Sequence, residues 1–97
     1  MSEPHEYSHL ARLGWLLVMM GALVELRCSP HEPPTLKIFR RQGEWVPIRA
    51  EMRAGEPVYL VRKPNTKPPQ WKPVEVRSRT AAVQVRNLVR ATAVEES

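Results

Sequence analysis

The chain contains no aspartate at all and a single cysteine, Cys28. Aspartate is the commonest hard oxygen ligand, so a dedicated calcium or magnesium site is not expected. One thiol excludes an internal disulfide framework and suits a reducing, cytoplasmic setting. Only four glycines stand against ten prolines. Short elements joined by stiff connections follow from that balance. A glycine-rich phosphate loop is missing, and no paired carboxylates stand out for acid–base work. Cys28 has His31 only three residues away, on a proline-interrupted loop that offers no activating geometry. The chain does not read as an enzyme. At 97 residues with 42% hydrophobic content it has room for one folded domain, residues 1–97.

Long apolar runs are also lacking, with one near-exception. Leu13 to Val24 is twelve residues without a charge. A membrane span needs about 20, so the run is too short to cross. Residues 1–9 carry Glu3, His5, Glu6 and His9 instead of the basic leader of a signal peptide. A buried helix over about residues 6–27 is the expectation, with membrane association disfavoured. Leu10, Leu13, Leu17, Met20 and Val24 make its core stripe. Ala11, Gly14, Val18 and Gly21 form a second stripe of small residues. Interior glycines cost about 1 kcal/mol each, which close approach of another backbone would offset. That backbone is either a second copy of the chain, giving a homodimer, or the chain's own sheet.

After residue 32 the apolar pattern changes to alternation. Leu36–Arg40 and Trp45–Arg49 flank Gln42-Gly43, a hairpin whose second strand must lie at an edge or bulge because of Pro47. Arg53–Glu56 reads as a turn, Pro57–Lys63 as a strand, Pro64–Gln70 as a polar loop and Trp71–Arg77 as a strand. Residues 80–94 are ambiguous. Ala81, Val85, Leu88, Val89 and Thr92 would form a helical stripe capped by Ser78 or Thr80. Against that helix, Arg79 would sit at its positive end and Glu95 and Glu96 at its negative end. Two short strands, Ala81–Val85 and Leu88–Thr92, are preferred. The expected fold is α+β: an N-terminal apolar helical segment (1–32), then a basic body (33–94) forming a small antiparallel β-barrel or meander of five or six strands.

What the chain does have is a strongly uneven charge. Residues 33–94 hold thirteen Lys/Arg against four Glu, a balance of +9, while residues 1–32 hold two Arg against four Glu, a balance of −2. Such a field attracts polyanions whatever fold lies beneath it. The predicted function is a small nucleic-acid-binding module contacting mainly phosphate, through Arg40, Arg41, Arg62, Lys63, Lys67, Lys72, Arg77 and Arg86. Phe39, Trp45, Tyr59 and Trp71 are interleaved with these cations and would stack on bases if exposed, though each is expected in the core. The alternative is a protein-interaction module, an inhibitor or assembly factor docking on an acidic protein surface.

Residues 53–86 resemble the C-terminal domain of retroviral and retrotransposon integrases. The stretches that carry the likeness are Gly55-Glu56, Val58–Val61, Arg62-Lys63, Trp71-Lys72, Val74–Val76 and Val83–Val85. The resemblance implies a small barrel of the Src-homology-3 type and a tendency to bind nucleic acid. Pro73 stands where that family usually has glycine after its tryptophan-basic pair. A chain without Asp also cannot hold the integrase catalytic triad.

His5, His9, Cys28 and His31 have spacings that suit a zinc site of one cysteine and three histidines. An unbroken helix over residues 9–28 would hold the two pairs nearly ~30 Å apart, so the site needs a break at Gly14 or Gly21, or an antiparallel dimer.

Overall fold

The computed structural model describes residues 5–40, 43–63, 68 and 70–95, and the side chains of those between 7 and 90. Its elements are α1 (His5–Met19), β1 (Leu23–Ser29), β2 (Glu32–Phe39), β3 (Trp45–Arg53), β4 (Glu56–Lys63), β5 (Gln70–Glu75) and α2 (Ala81–Glu95). The strands form one antiparallel meander in the order β1-β2-β3-β4-β5. The fold is therefore α+β, and of barrel or meander it is the meander: the sheet stays open.

The apolar run at residues 13–24 is not one helix. It is divided between α1 and β1 by a turn at Gly21, whose φ of 91° is open to glycine and strained for other residues. Gly21 N–H donates to the Val18 carbonyl at 2.9 Å and Ala22 N–H to the Leu17 carbonyl at 2.9 Å. Those two bonds are the Schellman arrangement that closes a helix on a left-handed glycine. The expected helix thus ends eight residues early, and the 1–32 segment contains a strand. Among the described residues no helix is long and apolar enough to cross a membrane.

Strand alternation explains the core. Leu36 and Ile38 of β2, Val46, Ile48 and Ala50 of β3, Tyr59 and Val61 of β4 and Val74 of β5 are all buried. The registers Leu36↔Ile48, Ile38↔Val46, Ile48↔Val61, Ala50↔Tyr59 and Tyr59↔Val74 place them on one face. Leu10, Leu13 and Leu17 of α1 cover β1–β3 on that face, and α2 lies beside α1 over β4 and β5. Gly14 faces inward too. A Cβ there would stand 3.2 Å from Leu36 Cδ1 and 3.7 Å from Val24 Cγ2, so its close approach is to the chain's own sheet. With Gly14 buried and Gly21 outside the helix, the stripe Ala11/Gly14/Val18/Gly21 is not an exposed face for a second copy.

Two proline positions turn on register. Pro47 lies in β3, the middle strand, rather than at an edge. However, β3 pairs with β2 over Trp45–Ile48 and with β4 over Ile48–Arg53, so at Pro47 it pairs on one side only. The missing N–H can therefore face the unpaired side. Between Arg27↔Thr35 and Ser29↔Glu32 the second strand has one residue more, a bulge at Pro33-Pro34. Of the polar loop expected over Pro64–Gln70, residues 64–67 and 69 lie outside the described residues and Gln70 begins β5; Gln42 of the expected hairpin turn lies outside them as well.

The segment after residue 80 is helical, contrary to the two strands expected and to the strand that the integrase resemblance implies at Val83–Val85. Ala81, Ala82, Val85 and Val89 are buried along one helical stripe. Burying a valine is worth about 1.5–3 kcal/mol, whereas a misplaced surface charge at a helix end costs about 0.3–1 kcal/mol. Burial wins. Side chains also tie down the start. Thr80 C=O accepts from Gln84 N–H at 2.9 Å, and the Gln84 side-chain amide donates to Ser78 Oγ at 3.0 Å and Thr80 Oγ1 at 2.9 Å.

Two predictions follow from this packing. Ala54 and Gly55, at φ 49° and 78°, make a two-residue turn between Arg53 and Glu56. A left-handed Ala costs about 1–2 kcal/mol, so Ala54→Gly raises stability by up to about 1 kcal/mol in urea titration. Tyr59 is buried, and its O–H donates to the His9 carbonyl at 2.8 Å, tying β4 to α1. Burial pushes its phenol from 10.0 up to about 12, against a smaller opposing effect of Arg12. Between those values the unfolded chain releases the proton before the folded one does. Stability is thus intact below pH 10 and falls as pH rises from 10 towards 12. Tyr59→Phe lowers neutral-pH stability by about 1 kcal/mol and flattens that alkaline slope, as chemical denaturation across the range will show.

Candidate anion-binding groove

The same alternation that fills the core sends the intervening residues to the helix-free face. Glu25, Arg27, Thr35, Lys37, Trp45, Pro47, Arg49, Leu60, Arg62 and Trp71 fall on that side by register. There the sheet forms an open groove of ≈ 340 Å³. Its lining includes Arg27, Lys37, Arg49 and Arg62, the two tryptophans Trp45 and Trp71, and at one end Cys28, Ser29, Glu32 and Pro33. Four cations thus face one carboxylate.

Two cation–aromatic contacts shape the walls. Lys37 Nζ sits 4.1 Å from the centre of the Trp45 ring, and Arg49 Cζ sits 5.4 Å from that of Trp71. Both distances are within the range where the ring quadrupole attracts a cation. The second contact joins β3 to β5 and therefore passes over β4, where Leu60 is buried although it faces away from the helices. Trp45 is 45% exposed and Trp71 half-buried, so neither belongs to the core. Tyr59 does, and Phe39 is half-buried.

Elsewhere three basic residues meet carboxylates. Arg40 pairs with Glu44 at 3.9 Å, Arg77 with Glu56 at 3.2 Å, and Arg53 with Glu51. Among the described residues, no carboxylate lies within 4.0 Å of a charged nitrogen of Arg27, Lys37, Arg49 or Arg62. Surface pairs contribute little to stability, but they cancel the field locally. Lys72, Arg79, Arg86 and Arg90 also lack such a pair among the described residues, but in the groove four unpaired cations line one space.

The eight basic residues predicted from sequence are not gathered here. Arg62 lines the groove. Lys63 and Lys72 share the parity of Val61 and Val74 and point to the helix side, because neighbours along a strand alternate. Arg40 is mostly buried beside Glu44, Arg77 is in the turn after β5, and Arg86 is half-buried on α2. Arg41 and Lys67 lie outside the described residues. In their place stand Arg27, Lys37 and Arg49. The alternation Leu36-Lys37-Ile38 and Val46-Pro47-Ile48-Arg49 already sets Lys37 and Arg49 opposite the core. Arg27 was hidden by its assignment to a helix.

The zinc ligands do not converge either. The break required at Gly21 is present, yet the described residues contain no group of three or more His, Cys or acidic side chains able to share an ion. His9 lies in the helical layer and Cys28 in the groove's lining, with His31 in the turn beyond it. The His5 side chain lies outside the described ones.

An uncompensated cluster of cations repels itself, and a multivalent anion relieves that repulsion. Tripolyphosphate should therefore raise the melting temperature by more than sodium chloride does at equal ionic strength. The excess should shrink by at least half in Arg49→Ala/Arg62→Ala, read by differential scanning fluorimetry.

No family model, no curated protein and no solved structure matches this chain.

Proposed function

We propose that the protein is a small non-enzymatic nucleic-acid-binding module that holds the phosphate backbone in the groove of its helix-free sheet face. One observation carries this reading: four cations line the groove between two tryptophans, without a carboxylate partner among the described residues. Arg49 and Arg62 supply forked donors that match phosphate oxygens, and Lys37 a point charge. Trp45 offers a partly open ring on which a base can stack, a contact worth about 1–3 kcal/mol. The resemblance of residues 53–86 to integrase C-terminal domains leads to the same ligand class. Cys28, exposed and single in the chain, suits the reducing cytoplasm.

The contrast with the three paired arginines matters for mechanism. Arg40, Arg53 and Arg77 must leave a carboxylate before they touch phosphate, so they contribute long-range steering more than direct contact. Groove cations have no such cost. Direct contacts are thus expected from β1–β4 and not evenly from all thirteen basic residues of the body.

The second reading, docking on an acidic protein surface, uses the same groove, since Pro33, Pro47 and the tryptophans would suit an extended acidic peptide. Pull-down with nuclease treatment separates them, because a defined protein partner retained after nuclease favours docking.

The direct test is titration of a fluorescent oligonucleotide at several salt concentrations. Affinity should fall steeply as salt rises, with a slope set by about 0.7 counterions per contacted phosphate on a single strand. Arg49→Ala/Arg62→Ala should weaken binding about tenfold or more and reduce the slope by roughly one. Binding indifferent to salt, or none at low salt, defeats the proposal.

A further inference from the structure

The two edges of the sheet are built differently. β5 carries Lys72 and Pro73, and a proline at an edge removes a donor that a further strand would need. β1 (Leu23–Ser29) has neither proline nor lysine over seven residues, and among the described residues nothing pairs with its outer side. An unguarded strand is a template for another strand. Since β5 is blocked, the partner available within this sequence is β1 itself.

We propose that two copies of the chain join edge to edge through β1, antiparallel, about a two-fold axis at Leu26. The sequence of β1, Leu-Val-Glu-Leu-Arg-Cys-Ser, complements itself in that register. Glu25 falls opposite Arg27 of the second copy, and the symmetry makes the same pair twice. Val24 falls opposite the second copy's Cys28, and Leu26 opposite its own copy. A shift of two residues that set Arg27 against Arg27 would replace two attractions by a repulsion, which fixes the alignment.

Surroundings of the edge agree with burial there. Leu23, the first residue of β1, is 74% exposed. Gly14 of α1 packs over Val24 and Leu36, so the helix flank beside it, Ala11 and Val18, is turned towards the same edge, and Val18 is exposed. Glu25 is also the register partner of Lys37 within the chain, without an ion pair between them. In the joined sheet its carboxylate would lie between Lys37 and Arg27 of the second copy, which leaves Arg49 and Arg62 as the groove cations that no glutamate meets among the described residues. A dimer of this kind is isologous and closes on itself, leaving β5 as the outer edge at both ends.

Sedimentation of the full chain should show the mass of two chains at tens of micromolar. Glu25→Arg sets like charges opposite each other twice and should weaken association about tenfold or more, while Glu25→Arg with Arg27→Glu restores it. Val24→Cys should link to the native Cys28 of the second copy under oxidised glutathione. The parent chain should not, because its two Cys28 residues are held roughly 13 Å apart along the strands. Arg49→Ala/Arg62→Ala, which weakens nucleic-acid binding, should leave the mass unchanged, so the two proposals fail separately. A single-chain mass at every concentration overturns the inference, as does a dimer indifferent to Glu25→Arg or cross-linked as readily through Cys28 alone.

Discussion

The seam between α1 and the sheet is the contact on which the remaining structure depends. Leu10, Leu13 and Leu17 have no exposed surface, and they meet Leu36, Ile38, Val46 and Ile48, which have almost none. Together these side chains decide which face of the sheet is inside. Because side chains alternate along a strand, that choice also decides which residues are outside. Lys37, Arg49, Arg62 and Trp71 are on the bare face because Ile38, Ile48, Val61 and their neighbours are under the helices. The groove is a by-product of the core.

Register does the next part. β3 exchanges partners at Ile48, pairing with β2 before it and with β4 from it onward. The sheet takes up three prolines at these irregular places without breaking. Pro47 sits where one side of β3 is unpaired, and Pro33-Pro34 supply the extra residue of the β2 bulge. The bare face holds an open groove that brings cations from four strands to one place. Like charges at close quarters are unfavourable, and here the rings of Trp45 and Trp71 offset part of that repulsion. The helical layer is closed by a different device, the Tyr59 hydroxyl on the His9 carbonyl, which joins α1 to the strand beside α2.

Charge sorting separates a steering field from a contact site. Three arginines of the body spend their charge on nearby glutamates, and among the described residues the groove's four cations do not. A uniform count of basic residues therefore overstates how many can touch a ligand and misses which ones are poised. The exposed β1 edge belongs to the same account from another side. Its Glu25 and Arg27 are arranged so that a second copy would satisfy both, whereas the opposite edge is protected by Pro73.

How much of this was legible differs by element. The hairpin strands, the turn at Ala54-Gly55 and the identity of the core leucines could be read from alternation and helical spacing, since those periods are local properties of the backbone. Parity within β2 and β3 even placed Lys37 and Arg49 away from the core. The end of α1 was written at Gly21, but a glycine inside an apolar run is equally compatible with an interior packing site, and Gly14 is one. Choosing between them required knowing which glycine had Leu36 beneath it. For residues 81–95 local charge pointed away from a helix, and the apolar surface above β4 and β5 outweighed it. Composition and pattern by themselves determined the class of fold and the positive character of the body, because both are sums over residues. Only the tertiary structure decided which cations stand together and unpaired, because that depends on register between strands far apart in the chain.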